Sequence, residues 1–574
     1  MKRFIYILLG ILIFSITGCD NFLNTTSYTK KNTSNFPQTV EDATQLVTGI
    51  YSVLNKENMG DNGDGLTNFF LSDIASDDML GGGGEDDKKI QALDLFMNYQ
   101  TDMLEETWGD RYDGIYRANM VLETIDQCSG WASDEQKNQM KGEAYFLRAL
   151  FYFDLTSVFG EVPLVLNTDS TANLPKAAPE KEYGQIASDL KNGIELMSSK
   201  PYNSFVEAGH ATRWAAEAMM ARVFLFYTGF YNKTDMPLAD GSTVTKDDVI
   251  AWLKDCIDNS GHSLVPDFRE LWPYTNRFTV NDYSYTQGQN LSWVENDGAV
   301  NPETIFSIKY SNYASYTNNE NGYNNQTDLR FGLRGGQDYG NTFPFGQGWG
   351  WGSVNPQLLK DWKEAEPDDM RRSASIINIP EELPDYKKGG WNDFVQETDY
   401  ANKKYMPVTA NQSGGGITMY SSLMYGTTDN YQLSNTQDLV LIRLADVYLM
   451  YSELTQTATY MNKVRERAGL KDETYSLKNL QNERRWELAF EGIRWNDIRR
   501  WHIAADVLED QSGQPCYFMG EPDVTKDFGG GYSSRYNETQ GFYPIPDTQI
   551  SLSDGVLTQN DGWGTSAADY NGWR

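Results

Sequence analysis

Helix-type hydrophobic periodicity runs through two blocks of the chain, about residues 39–231 and 437–507. Within the first block, residues 144–158 place apolar side chains three and four positions apart and on most other faces as well, which predicts a helix buried nearly all round. Gly160 and then Pro163 follow, so we expect this helix to end in a left-handed cap at Gly160.

The segment 213–227 (RWAAEAMMARVFLFY) has the same helical character, with alanines that permit close helix contact. Small residues at crossings between large ones favour stacked helical hairpins of tetratricopeptide type, although no clean repeat is present. Residues 266–431 differ, because Gly, Asn, Tyr and Trp dominate and only short runs such as 304–310 (TIFSIKY) alternate like strands. This region is predicted to be rich in loops, where binding residues concentrate.

The N-terminus carries a targeting signal. Lys2 and Arg3 precede an apolar stretch, 4–16, and small residues follow directly before Cys19. This order predicts a secretory signal over residues 1–18. The cysteine at its end resembles a bacterial lipoprotein signal, in which Cys19 is acylated and becomes the new N-terminus. The alternative is an ordinary cleaved signal with an incidental cysteine.

No linker or low-complexity break divides residues 19–574, which favours one large domain. No other apolar run is long enough to cross a bilayer, so a lipid at Cys19 would be the only membrane attachment.

Lys and Arg number 48 against 80 Asp and Glu, a net charge of −32. That balance argues against nucleic acid and strongly anionic ligands, which need clustered basic residues.

Three further cysteines, Cys128, Cys256 and Cys516, are too few and too scattered for a disulfide scaffold, so we expect small buried apolar residues. The chain also holds 35 tyrosines and 15 tryptophans. Aromatic rings fill cores and also stack on the faces of sugars, so this content is compatible with both uses.

Motifs of catalysis are missing from the sequence. It has no G-x-S-x-G or H-E-x-x-H pattern, and His210, His262 and His502 lack metal-ligand spacing. The glycine-rich segment 346–352 lacks the Lys-Ser/Thr of a phosphate loop. The sequence therefore predicts no enzyme, no cofactor and no metal site. Since 80 acidic residues offer many carboxylate pairs, a glycoside hydrolase stays the formal enzyme alternative.

Several segments together resemble the SusD/RagB family, in order and over nearly the whole chain. They are 142–166 (GEAYFLRALFYFDLTSVFGEVPLVL), 441–453 (LIRLADVYLMYSE), 462–470 (NKVRERAGL), 483–501 (ERRWELAFEGIRWNDIRRW) and 542–560 (FYPIPDTQISLSDGVLTQN). The start of the mature chain, 19–23 (CDNFL), is also similar to that family.

The resemblance implies a mainly α, SusD-like single domain, with tetratricopeptide-type helix pairs on one side and a loop-rich ligand-binding half with few short strands. It implies a surface-exposed lipoprotein of the cell outer membrane, acting with a SusC-like TonB-dependent transporter. Family ligands are mostly glycans, with peptides in some branches, and they are bound without cleavage.

The charged residues of segment 483–501 alternate in sign, so we expect pairs three and four positions apart to neutralise one another along one helical stretch. Neighbouring arginines should hold Glu487 and Glu491 ionised, which argues against a catalytic carboxylate pair. Arg148 and Arg443 stand inside apolar helical segments and are predicted to be buried donors to acidic partners.

Ligand-contact candidates come first from residues 293–351, where flat aromatic rings and planar amides are densest. The first choice is the segment just after the predicted strand, and Trp293, which precedes that strand, could supply a second stacking ring. The candidates are Trp293, Tyr313, Tyr316, Asn318, Asn319 and Tyr323. For each aromatic ring, packing within the loop is an equally good interpretation.

The family resemblance points to a second region, the loop 79–99 after the Asp77–Asp78 pair. This loop contains no tryptophan, which departs from a glycan platform, but it adds Asp78 and Tyr99 to the candidates. Its four glycines, 81–84, favour a mobile flap.

The predicted function is capture of a neutral oligosaccharide or polysaccharide and its delivery to the transporter. Three alternatives remain from the sequence: a peptide-capturing member of the same family, a surface glycoside hydrolase, and a purely structural lid that touches no ligand.

Overall fold

A computed structural model describes the chain over seven ranges, 36–56, 68–100, 102–169, 173–204, 209–316, 323–334 and 339–574. The predictions made for Cys19, Asn318 and Asn319 lie outside these described residues.

Most of the regular structure is helical. The helices are α1 Val40–Lys56, α2 Asn68–Ile74, α3 Lys88–Asp94, α4 Glu105–Thr124, α5 Asp134–Phe159, α6 Pro179–Leu196, α7 Arg213–Phe230, α8 Lys246–Asn259, α9 Gln326–Phe331, α10 Pro356–Ala365, α11 Met370–Ser375, α12 Ile379–Glu382, α13 Tyr420–Tyr425, α14 Leu444–Thr455, α15 Thr459–Arg467, α16 Leu477–Leu488, α17 Arg494–Arg500, α18 Ala504–Glu509, α19 Tyr532–Thr539 and α20 Asp547–Leu552.

The strands are short and form two-stranded antiparallel ladders. They are β1 Met79–Gly82 with β5 Trp351–Val354, β2 Met236–Pro237 with β3 Thr243–Val244, β4 Thr304–Ile308 with β10 Leu439–Arg443, β6 Ile376–Asn378 with β7 Tyr400–Asn402, β8 Thr409–Asn411 with β9 Ile417–Met419, and β11 Pro515–Phe518 with β12 Glu521–Val524. This confirms the predicted mainly α fold with few short strands.

Helix α5 shows why the sequence favours this scaffold. The Ser133 side chain accepts a hydrogen bond from the Gln136 amide at its start, and nearly all of its C-terminal half is buried, as predicted. The helix ends at Gly160, which has a φ of 72° but a ψ of −126°, so the cap has positive φ without being left-handed helical. The ring of Phe542 lies 3.2 Å from where a Cβ of Gly160 would be, and this close packing accounts for the glycine.

The helices pack in chain order, α4 on α5, α5 on α6, α6 on α7 and α7 on α8, and α8 then contacts α14 of the second helical block. One continuous apolar core extends from Ala43 to Tyr570. Helix α8 lies beyond the predicted first block. Its start was marked in the sequence by a capping box, in which Thr245 and Asp248 each bond the other's backbone amide.

The second helical block differs from its prediction at its beginning. Residues 439–443 form β10, and helix α14 starts only at Leu444. The aliphatic run LVLIR pairs with β4, where Leu439 faces Ile308 and Arg443 faces Thr304. Two strands therefore sit between the helical half and the loops, and the predicted strand in 304–310 is confirmed.

The glycine-rich segment 81–84 is not a flap. It is buried and partly built into β1, and a Cβ on Gly82 would lie 2.5 Å from the Gly350 carbonyl oxygen of the paired strand region. On Gly81 a Cβ would lie 2.8 Å from the Cα of Gln91. These glycines permit backbones to approach closely, which is a packing requirement and not a sign of motion.

The predicted charge network exists, but most of its pairs join distant parts of the chain. The segment 483–501 is two helices, α16 and α17, separated by a turn in which Phe490 and Gly492 have φ values of 63° and 69°. Arg500 and Asp497 form an i,i+3 pair, whereas Arg494 reaches Asp77. The prediction of pairing along one helix was therefore wrong for most of the segment.

At the centre, five cations and five carboxylates that the structure describes form one cluster, the central ion-pair network, with side chains at most 6% exposed: Arg371, Lys404, Arg443, Arg465 and Arg467 with Glu303, Asp369, Glu483, Glu487 and Glu491. Arginines hold the pKa of Glu487 well below its usual range, overcoming its burial. Arg443 contacts Glu303, Glu487 and Glu491, which confirms that this carboxylate pair is occupied by arginine.

Arg148 likewise binds Asp189 through two hydrogen bonds, of 2.8 and 2.7 Å, as predicted. Cys128, Cys256 and Cys516 are free and buried, again as predicted.

Candidate functional site

The ladder of β4 and β10 brings two loops together. Because the strands are antiparallel, the end of β4 at Ile308 lies beside the start of β10 at Leu439. The residues after β4 and those before β10 therefore leave the ladder at the same end. Their sequences, 311–316 (SNYASY) and 427–432 (TTDNYQ), are both rich in polar and aromatic residues.

A surface groove of about 250 Å³, which we call the tyrosine groove, lies between these loops. It is lined by Asn312, Ala314, Ser421, Thr427, Thr428, Asp429, Asn430, Leu433, Ser434 and Thr436. Asp429 is the one charged residue among the described residues of this lining. Hydroxyl and amide groups donate and accept hydrogen bonds, so the lining suits a neutral polar ligand.

Four exposed tyrosines lie on or near the segments that form the groove, although none of them is part of its lining. Tyr313 is 78% exposed, Tyr316 52%, Tyr323 46% and Tyr425 45%. Large aromatic rings are normally covered by protein, so several exposed rings near one another make this a candidate binding surface. An exposed ring face can stack on the apolar face of a sugar.

Hydrogen bonds fix the two loops to each other. Tyr316 donates from its hydroxyl to Oε1 of Gln432 at 2.6 Å, and Gln326 donates to the Gln432 carbonyl at 3.0 Å. Asp429 accepts from the Met419 amide at 2.8 Å and from the Tyr339 hydroxyl at 3.2 Å. These contacts hold the groove in a defined shape before any ligand arrives, which lowers the entropy cost of binding.

Other candidate residues are placed elsewhere. Trp293 is 5% exposed and meets the ring of Tyr420 edge-on at 5.7 Å, so it packs beneath the groove and offers no open face. Asp78 is 2% exposed and bound to Arg485 at 2.8 Å. Burial raises the pKa of the Asp78 carboxyl despite this arginine. Both residues support the fold around them in this structure.

Tyr99 is 39% exposed, with the Lys88 ammonium 5.8 Å from its ring centroid. Its neighbour Asn98 bonds the C-terminal segment, accepting from the Tyr570 amide at 2.8 Å. Tyr99 is therefore located beside the C-terminus and is not part of the groove lining.

The structure adds residues that the sequence reasoning missed: Asp429 in the groove lining, the exposed Tyr425 nearby, and Gln432, which accepts a hydrogen bond from Tyr316. A signal was available, because the segment 420–432 (YSSLMYGTTDNYQ) has the same composition as the first-choice segment after β4. What sequence reasoning lacked was the pairing of β4 with β10, which places the two segments side by side.

A second exposed aromatic ring stands apart from this lining. Trp391 is 39% exposed, and the Arg334 guanidinium lies 4.9 Å from its ring centroid. Asp393 holds Arg334 through bonds of 2.9 and 2.7 Å, so one face of the tryptophan is backed by a fixed cation.

The helical scaffold carries a candidate ligand-binding groove whose described lining has one charged residue. Comparison with known families assigns it further. A family model described as "Starch-binding associating with outer membrane" matches residues 21–225, and one described as "SusD family" matches residues 273–563. The chain belongs to the SusD family.

Characterised relatives agree with this assignment. SusD-like protein P25 of Formosa agariphila is 24% identical over 544 residues, covering 87% of this chain and 90% of its own length. A SusD-like protein of Bacteroides ovatus is 24% identical over 430 residues, covering 71% of this chain and 68% of its own.

Solved structures share the fold. A laminarin-binding SusD-like protein has a TM-score of 0.68 at 24% identity, covering 92% of this chain and 100% of that one. Surface glycan-binding protein A from Bacteroides thetaiotaomicron, in complex with laminarihexaose, has a TM-score of 0.67 at 19% identity, with the same coverage.

Within the ranges that the structure covers, no helix combines the length and the apolar character needed to cross a membrane.

Proposed function

We propose that this protein binds a neutral glycan in the tyrosine groove and delivers it to a SusC-like TonB-dependent transporter. The observation that carries the proposal is a groove whose described lining has a single charge, flanked in the chain by four exposed tyrosines, Tyr313, Tyr316, Tyr323 and Tyr425. Two solved relatives of the same fold are named for laminarin binding or for a complex with laminarihexaose, which supports a glycan as the ligand class.

The position of the groove fits capture followed by release. Tyr313 and Tyr316 lie on a loop at one end of a short ladder, and Thr427, Thr428 and Asp429 of the groove lining are exposed. Sugars bound at such a surface keep part of their hydration, and each stacked ring adds only about 0.5 to 1.5 kcal/mol beyond buried area. We therefore expect modest affinity, which suits a protein that must hand over its ligand.

The protein would act at the cell surface. The signal at residues 1–18 and the lipidation site Cys19 would anchor it in the outer membrane by lipid, and one matching family model is described as associating with that membrane. Because the chain has a net charge of −32, basic residues would not attach it to the membrane; the lipid and a partner protein would.

We further propose that it binds without cleaving. A glycosidase needs two available carboxyl groups across the bound sugar. In the groove the one described carboxylate is Asp429, and its two oxygens accept hydrogen bonds from Met419 and Tyr339. The acidic pair of the family motif, Glu487 and Glu491, is held by Arg443 in the core.

Affinity electrophoresis tests the proposal. The soluble protein, begun after Cys19, is run through gels containing a panel of neutral and acidic polysaccharides, and released reducing sugar is measured in parallel. We expect retardation by one neutral polysaccharide and no released sugar. Retardation by none of them would contradict glycan binding, and sugar release abolished by a single carboxylate substitution would contradict the absence of catalysis.

Variants then locate the site. Replacing Tyr313, Tyr316 and Tyr323 together with alanine should remove most of the retardation, because three stacking faces are lost. Tyr116 is also 45% exposed but lies on helix α4, so Tyr116→Ala is the matched control and should migrate like the unmodified protein. Equal retardation of the triple variant and the control would show that the site is elsewhere.

A further inference from the structure

A second cavity, of about 190 Å³, lies along strand β4 and shares no lining residue with the tyrosine groove. Its walls include the β4 residues Thr304 to Ser307, and Val300, 57% exposed, is also part of its lining. On one side the rings of Tyr202 and His262 stack at 3.9 Å with an interplanar angle of 15°. The cavity is therefore built from a rigid strand and a stacked ring pair, with space for a small molecule.

Among the described residues of this lining, Lys309 is the one lysine or arginine, and Glu295 and Asp438 are the two carboxylic acids. Lys309 forms an ion pair with Asp438, whose side chain is 7% exposed. His210 also belongs to the lining, and its Nδ1 lies 2.8 Å from a carboxylate oxygen of Glu143, which is outside the lining. Removal from water and the nearby Asp438 carboxylate raise the pKa of Glu295 to about 8, although Lys309 opposes the shift. In the absence of a ligand, a proton on Glu295 supplies the second positive charge.

His262 adds a hydrogen-bond acceptor. Its Nδ1 lies 3.0 Å from the Pro302 carbonyl oxygen, which can only accept, so the ring proton is on Nδ1. Burial lowers the pKa of His262 to about 4, so the ring is neutral near pH 7. Its Nε2 therefore carries a lone pair, and this atom has no hydrogen-bond partner in a side chain that is 8% exposed.

We propose that this cavity binds the primary ammonium group of a small polar ligand through the Glu295 carboxyl and the unpartnered Nε2 of His262. An ammonium has three donors and one positive charge. The positive charge suits the carboxylates of Glu295 and Asp438, which have one lysine between them. The donors suit those carboxylates and the lone pair on Nε2 of His262. With the ligand bound, Lys309 and the ligand would balance Asp438 and Glu295, and the displaced proton would pass to solvent.

The same ammonium chemistry occurs on an amino sugar and on the N-terminus of a peptide. D-glucosamine and glycylglycine are therefore two arms of the test, and D-glucose and N-acetyl-D-glucosamine are the matched probes without a basic amine. The inference does not depend on the proposed function, because the two cavities have separate linings and separate probes.

Calorimetric titration of the soluble chain at pH 6.5 gives the decisive measurement. At that pH Glu295 is protonated, whereas the ligand amine is charged and His262 is neutral. We expect glucosamine, glycylglycine or both to bind, with release of roughly 0.9 proton per ligand, measured in buffers of different ionisation enthalpy. Which arm binds identifies the source of the amine.

Glu295→Gln keeps the side-chain size but cannot form the second negative charge. We expect it to weaken binding at least tenfold and to abolish proton release, whereas the exposed control Glu364→Gln should bind like the parent protein. Binding of glucose or N-acetylglucosamine as tight as that of glucosamine would overturn the proposal. So would an absence of binding by both amines, or binding by the parent protein without proton release.

Discussion

The central ion-pair network allows the effect of one substitution to be worked out in advance. Its five cations and five carboxylates are each at most 6% exposed at the side chain, and Arg465 at its edge also pairs with the more exposed Glu366 and Glu473. Arg443 contacts three of the carboxylates, Glu303, Glu487 and Glu491. Arg443→Met would keep most of the side-chain volume but leave four cations for five buried carboxylates.

Removing one partner from a buried ion pair costs about 3 to 5 kcal/mol, because a charge stays buried without compensation. At an unfolding entropy of ~2.1 cal/mol/K per residue, a chain of 574 residues changes its free energy of unfolding by about 1.2 kcal/mol per degree. We therefore expect Arg443→Met to lower the melting temperature by about 2.5 to 4 °C in differential scanning calorimetry.

Lys191→Met is the control. Lys191 pairs with Glu195 on the surface of α6, where the two side chains are 40% and 55% exposed, and exposed pairs contribute less than about 1 kcal/mol. Its melting temperature should fall by less than about 1 °C. If Arg443→Met lowered the melting temperature no more than Lys191→Met, the network would not be a major source of stability and our reasoning would fail.

Two more predictions concern stability. On α4, Gly114→Ala should lower the free energy of unfolding by about 1 to 3 kcal/mol in urea denaturation, because the new Cβ would lie 2.4 Å from the buried ring of Phe151. Gly109 on the same helix has open space around it, so Gly109→Ala should raise the free energy of unfolding by about 0.5 to 1 kcal/mol. Effects of the same sign would contradict this reasoning. Burial raises the pKa of Glu182 to about 9 from an ordinary 4.5, so this carboxyl takes up a proton on folding and its contribution to stability is lost as pH rises between those values. Glu182→Gln should therefore stabilise the protein by ~3 kcal/mol at pH 7 and have little effect at pH 4, and an equal effect at both would refute the shift.

Much of the helical scaffold could be predicted because its signals are local. The buried helix α5, its end at Gly160 and the pairing of Arg148 with an acidic residue all follow from periodicity, a glycine and an arginine among apolar neighbours. Long-range pairing could not be predicted in this way. The run at 439–443 is aliphatic enough for a helix or a strand, and its partner β4 decides the outcome.

The same limit applies to the groove. Composition identified the segment after β4, but the exposure of Tyr313 and the burial of Trp293 depend on tertiary packing that one sequence does not encode locally. The glycines at 81–84 show the converse. Their composition favoured motion, yet backbone atoms lie within 3 Å of the Cβ positions of Gly81 and Gly82, and side-chain atoms lie within 3 Å of those of Gly83 and Gly84, so packing requires these glycines.

A crystal structure of the protein with an oligosaccharide cut from the polysaccharide that retards it would test the central claim most directly. We expect sugar rings to lie against Tyr313 and Tyr316, with hydroxyl groups bonded to the polar lining of the tyrosine groove. A sugar found on another exposed ring, such as Trp391, with the tyrosine groove empty, would contradict the account.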